Sequence, residues 1–180
     1  MRRWLGAAAA CLCVAAGPLR YLEGPPPAHT GGFGEPTCRA CHFDVEIQDP
    51  RGSVSIEGLP GGSYTPGARY PIQIRLVRPG LRSAGFQIAV RDAEGGQAGT
   101  LQAADDGRSV VTAHQGIHYG HQNAAGAVGR DSARWSLVWV APPEGAGPIH
   151  LHLAANAADG DRSALGDHIY AAEAVIAPGR

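Results

Sequence analysis

Methionine occurs once in this 180-residue chain, at Met1, and lysine does not occur at all. A metal site in the body of the protein must therefore draw on histidine, cysteine, carboxylates or weak donors. Cysteine is scarce too, with Cys11, Cys13, Cys38 and Cys41 the whole complement, which is too few for a disulfide-stapled scaffold. A chain of this length buries enough apolar surface to fold without staples. Charge is low and balanced: 16 acidic residues face 15 arginines, for a formal net charge of −1. Nucleic-acid binding needs a concentrated basic face, so no nucleic-acid partner is expected. After the N-terminus no apolar run approaches the roughly 20 residues that cross a bilayer as a helix.

At the N-terminus apolar residues do run together. Arg2 and Arg3 precede an Ala- and Leu-rich stretch from Trp4 to Ala16, and Val14-Ala15-Ala16 supplies small residues before a cut at Gly17. This is the pattern of an export signal over residues 1–16, too short for a permanent span. Lipidation of Cys11 is disfavoured by Ala8, which stands where a large aliphatic residue is usual. Removal of 1–16 takes Cys11 and Cys13 away and leaves Cys38 and Cys41 as a pair. The chain stops at Ala177-Pro178-Gly179-Arg180 with no tail anchor. A periplasmic or secreted protein is expected, with no membrane span after signal removal.

The remaining pair sits in Thr37-Cys38-Arg39-Ala40-Cys41-His42, a Cys-x-x-Cys-His run. Two thiols three residues apart can form thioethers to the two vinyl groups of a haem, and the adjacent imidazole is held against the iron as proximal ligand. The motif predicts one covalent haem c on Cys38, Cys41 and His42. A bare dithiol would want a helix N-terminus or a βαβ setting to lower a thiol pKa, and neither is visible. Structural zinc usually takes four Cys or His ligands, and two cysteines fall short of that.

Around the motif, residues 17–43 are rich in Pro and Gly and read as extended chain that carries the haem against a body. Residues 44–177 read as strands. Val45 and Ile47, Val54 and Ile56, Ile72, Ile74 and Leu76, Phe86, Ile88 and Val90, Trp135, Leu137 and Trp139, and Ile149, Leu151 and Leu153 all recur with period two. That period puts one face on a core and the other toward water. Gly58–Gly62, Thr65–Gly67, Asp92–Gly96 and Pro142–Gly145 punctuate the strands, and Asp105-Asp106-Gly107 predicts a hairpin turn. About eight or nine short strands without a helix indicate an all-β, antiparallel β-sandwich. Leu153–Ala158 is Ala-rich, but Asn156 and Asp159-Gly160-Asp161 favour a strand end over a helix.

Ala28–His42, Gly58–Tyr70, Gly85–Ile88, Ala98–Leu101, Trp135–Pro142 and Ala154–Tyr170 stand in an order that resembles the bacterial secreted Reeler-like domains called choice-of-anchor V. The resemblance implies an Ig/Reeler-like sandwich outside the cytoplasm, often with Cys-x-x-Cys-His near its start. It also implies a Tyr-x-x-His pattern ahead of the Trp strand, from which Tyr119-Gly120-His121 departs by one residue.

With Met and Lys absent, the sixth iron position falls to histidine, to a weak ligand or to none. His114, His118 and His121 crowd a segment that Gly116 and Gly120 mark as a loop. His121 is the first candidate and His118 the second. His29, separated by eight residues from Cys38, is the third. His150 and His152 share the polar face of a strand, and Asp159, Asp161 and Asp167 lie in a Gly-containing loop without the EF-hand spacing. A bis-His haem passes electrons and leaves no position for substrate. The expectation is a monohaem c-type cytochrome, not an enzyme, serving a redox partner protein or a larger redox complex. The alternatives are a Reeler-like structural or adhesive binding module whose haem is structural or absent, and a five-coordinate gas sensor or peroxidase with Tyr64, Tyr119 or Arg near the iron.

Overall fold

The computed structural model describes residues 21–143 and 146–179; the expected signal peptide, with Cys11 and Cys13, lies outside the described residues. Among these, ten strands form two sheets. They are β1 (Ser53–Glu57), β2 (Ser63–Tyr64), β3 (Arg69–Val77), β4 (Ser83–Asp92), β5 (Thr100–Ala103), β6 (Ser109–His114), β7 (Ile117–Gln122), β8 (Ser132–Val140), β9 (Ile149–Ala158) and β10 (His168–Pro178). One sheet has the order β1-β3-β8-β5 and the other β2-β10-β9-β4-β7-β6. Pairing is antiparallel except between β2 and β10, where two residues run parallel. The all-β sandwich expected from alternation is the observed architecture, with β9 running unbroken through Leu153–Ala158.

Alternation builds the core. Ile72, Ile74 and Leu76 of β3 and Trp135, Leu137 and Trp139 of β8 join Phe86, Ile88 and Val90 of β4 and Ile149, Leu151 and Leu153 of β9, none more than 1% exposed. The Phe86 and Trp135 rings lie 4.6 Å apart and stitch the two layers together. Each indole N–H is satisfied by a carbonyl, Trp135 donating to Gly126 at 2.9 Å and Trp139 to Ala98 at 3.1 Å, as buried tryptophan requires.

Three local expectations are overturned. Val45 and Ile47 form no strand; Gln48 takes φ 64° and its neighbours make a turn, so the extended run is broken there. Asp105–Gly107 is a crossover and not a hairpin: β5 pairs with β8 in one sheet, β6 with β7 in the other. The Asp106 carboxylate accepts from Arg108 N–H at 2.9 Å, which bends the chain but says nothing of which sheet receives it. The histidine-rich segment is the β6–β7 hairpin, not a loop, turning on Gln115 (φ 48°) and Gly116 (φ 80°) as a two-residue primed turn does. Gly120 serves close packing, since a Cβ there would sit 2.8 Å from Leu137 Cδ1 and 3.0 Å from Leu101 Cδ2.

The outer face of the six-stranded sheet positions everything that follows. Register puts Gln87, Ala89 and Arg91 of β4, Tyr119 and His121 of β7, and His150, His152, Ala154 and Asn156 of β9 on that face. In a plain sandwich it would meet water. Here Gln87 and Ala154 are 0% exposed and Tyr119 2%, because the segment before the strands lies across them. The Gln87 amide accepts from His29 N–H at 2.6 Å and donates to Pro26 C=O at 3.0 Å. The Arg91 guanidinium pairs with the Glu35 carboxylate, and Tyr119 O–H donates to the same Glu35 at 2.6 Å. Thr30 supplies Glu35 with a further O–H at 2.5 Å. Phe33 sets its ring edge-on against His150 and His152.

Glu35→Ala should destabilise the protein by about 3 kcal/mol, because it strands the buried Arg91 charge. Urea unfolding measures the loss, and hydrogen exchange should show residues 21–42 opening while β4 and β9 stay protected. Stability should also fall with acid. Burial holds the His152 and His168 rings below their ordinary pKa of 6.5, with positive neighbours adding to it. Both rings therefore bind protons more readily in the unfolded chain, so their contribution to stability is complete above about pH 6.5 and is lost as pH falls from there through the lower folded values. Thermal melting between pH 7.5 and 5 tests this, and His152→Gln with His168→Gln should flatten the slope.

Candidate functional site

At one end of the covered face the segment leaves a cavity of about 410 Å³, within the roughly 300–1,000 Å³ of small-molecule and cofactor sites. Ser83–Phe86 of β4 and Asn156 and Ala158 of β9 line it, together with Tyr21, Leu22, Pro25, Pro26 and His29 of the segment. The remaining wall comes from the β9–β10 loop and from Cys38, Cys41 and His42. Most of these contacts are apolar, and Phe86 connects the cavity to Trp135 in the core.

The motif enters as a short 3-10 turn, Cys38–Ala40. The Thr37 hydroxyl caps it by accepting from Arg39 N–H at 3.2 Å, and Cys38 C=O accepts from both Cys41 and His42 N–H at 3.2 and 3.1 Å. That turn delivers both thiols and the His42 ring to the same cavity. The two cysteines are free. Burial pushes the Cys38 thiol up to about 12, the opposite of what a thiolate nucleophile needs. Among the described residues no group of three or more His, Cys, Asp or Glu is spaced to hold a metal ion.

The two histidines on the cavity are held alike. His42 Nδ1 lies 2.7 Å from Asp167 Oδ2. A carboxylate accepts, so Nδ1 carries the proton and Nε2 the lone pair. The Asn156 amide nitrogen lies 3.4 Å from Nδ1 and 3.3 Å from Nε2. The same amide is thus within hydrogen-bond reach of both ring nitrogens. His29 Nδ1 lies 3.1 Å from Pro26 C=O and 2.9 Å from Pro27 C=O. Carbonyls only accept, so here too Nε2 holds the lone pair. A tied Nδ1–H with a free Nε2 is how proteins preset histidine for metal.

The other sixth-ligand candidates are elsewhere. His121 is 5% exposed, with Nδ1 2.8 Å from Gln122 C=O and Nε2 3.3 Å from the Thr112 hydroxyl. The Gly24 backbone lies directly on its ring, where a methyl group would collide. His118 alternates with Tyr119 and so faces away from the side that the segment covers. Neither lines the cavity that holds the motif, whereas His29 does. His150 and His152 lie under Phe33, with Glu173 of β10 3.8 and 3.6 Å from them.

Asp167 and Asn156 were not singled out for this role from the sequence. Asp167 looked like one acid in a Gly-containing loop, and Asn156 like a strand end. The available signal was their place at the two sides of the β9–β10 turn, but nothing in the spacing tied either to His42.

No family model matches the chain, and no curated protein sequence matches it. Solved structures do match. The human F-spondin reeler domain (fragment 1) superposes with a TM-score of 0.52 at 19% identity, covering 77% of this chain and 96% of that one. A structure of the Reelin-N domain of F-spondin gives 0.54 at 21% identity, covering 79% and 96%. A cohesin module from a Clostridium perfringens family 33 glycoside hydrolase gives 0.51 at 11% identity, covering 71% and 96%. At such identities the likeness speaks to the fold alone. The chain has a Reeler-like β-sandwich fold.

Proposed function

We propose that this chain is an exported monohaem c-type cytochrome on a Reeler-like sandwich of the choice-of-anchor V kind, which passes electrons to a redox partner protein. One observation carries the reading: Cys38, Cys41, His42 and His29 line a single cavity, and both imidazoles have Nδ1 held by an acceptor. The donor set and the apolar lining fit a haem. When bound, haem c supplies one-electron redox chemistry. Cys38 and Cys41 would tether it, and His42 and His29, not His121 or His118, would hold the iron. Leu22, Pro25, Pro26 and Phe86 keep water from the site, and Arg162 on the cavity wall suits a propionate. Two histidine ligands favour a lower potential than a His/Met pair.

A second reading has its own support. The likeness to reeler domains favours a binding or adhesive module, with the haem structural or absent.

Expression with haem-attachment machinery separates the two. Intact mass should rise by one haem, and the spectrum should be low-spin and indifferent to CO. His29→Ala should give a high-spin, CO-binding protein, and His121→Ala should leave the spectrum unchanged. A colourless protein of polypeptide mass sinks the cytochrome reading in favour of the module. High-spin wild-type protein points instead to a five-coordinate sensor or peroxidase.

A further inference from the structure

We propose that Asp167, steadied by Asn156, is a positioning residue for His42 that fixes its tautomer and strengthens Nε2 as a donor. The proposal rests on the haem reading of the cavity and extends it. The Asp167 side chain is 1% exposed, and its Oδ2 lies 2.7 Å from His42 Nδ1. The Asn156 amide donates to that same oxygen at 3.2 Å. The other oxygen, Asp167 Oδ1, is buried without a hydrogen-bond partner among the described residues.

That arrangement is poor value as a structural device. A buried carboxylate with one oxygen unsatisfied is costly, and a residue kept for stability alone would better be apolar. It is well suited to a metal ligand. A carboxylate draws the Nδ1 proton more strongly than a backbone carbonyl does, which shifts the ring toward imidazolate and raises the basicity of Nε2. A more basic Nε2 favours ferric over ferrous iron. His29, by contrast, rests on two neutral carbonyls. The two imidazoles that would hold a haem are thus unequally supported, and His42 would be the stronger donor.

Three elements make the arrangement. Asp167 immediately precedes β10, Asn156 lies near the end of β9, and His42 comes from the segment. Asp44, two residues past His42, also accepts from Gly166 N–H at 2.7 Å. The β9–β10 turn is therefore fastened to the motif segment at two adjacent points, the His42–Asp167 pair and the Asp44–Gly166 bond.

Two measurements test the role. In haem-loaded protein, spectroelectrochemistry should give a midpoint potential that rises from wild type to Asp167→Asn and rises further in Asp167→Ala. The asparagine keeps the shape and a neutral acceptor, so it should rescue part of the shift. In haem-free protein carrying Cys38→Ser and Cys41→Ser, long-range ¹⁵N NMR should show His42 protonated on Nδ1. Adding Asp167→Ala should move that proton to Nε2. Loaded protein with an unmoved potential in both variants, or haem-free protein with the His42 proton on Nε2 while Asp167 is intact, overturns the role. Absence of haem mass instead overturns the cytochrome reading itself, and the tuning role falls with it.

Discussion

Everything at the candidate site depends on the burial of one sheet face under a segment with almost no secondary structure. Residues 21–42 have few apolar side chains to drive docking and no ladder to join. They are held by polar groups that alternation left on the outer face: the Gln87 amide, the Arg91 guanidinium and the Tyr119 hydroxyl. Glu35 is the centre of that attachment. Burial raises its carboxyl, but hydrogen bonds from Thr30, Tyr119 and Arg91 outweigh the cost and keep it below its ordinary pKa. A charge that is both desolvated and fully paired demands its geometry, which turns a Pro/Gly-rich strap into a fixed part of the fold.

Fixing the strap fixes the cavity. His29 is placed by Gln87 through its backbone and by Pro26 and Pro27 through its ring. The Cys38–His42 turn follows within the same segment, and Asp167 meets it from the β9–β10 turn. Both imidazoles line one cavity from a single docked strap, His42 at its end and His29 within it. A prosthetic group bound there would in turn cross-link the strap, which couples occupancy to stability by mass action.

The likeness to reeler domains and to a cohesin module concerns the sandwich. Such folds host many functions, and function is argued from the site grafted on them. Here the cavity is bounded largely by the strap, the motif turn and the β9–β10 loop, which are also parts with little regular structure.

Much of the architecture was legible in the chain itself. The period of two in Ile72–Leu76, Phe86–Val90, Trp135–Trp139 and Ile149–Leu153 identified the core strands, because burial of one face is a local, repeating demand. That Cys38, Cys41 and His42 meet at one cavity follows from their adjacency along the backbone. Asp105–Gly107 misled, because a turn's residues encode its bend and not which sheet receives the next strand. The histidines misled for a related reason: Gly116 and Gly120 looked like loop residues, yet one makes a two-residue turn and the other packs beneath Leu137. That His29 lines the cavity and His121 does not, and that Asp167 stands behind His42, were decided by tertiary structure alone. Each depends on which face of a strand a side chain takes and what crosses it, and such meetings between residues 58 to 125 positions apart leave no periodic trace in sequence.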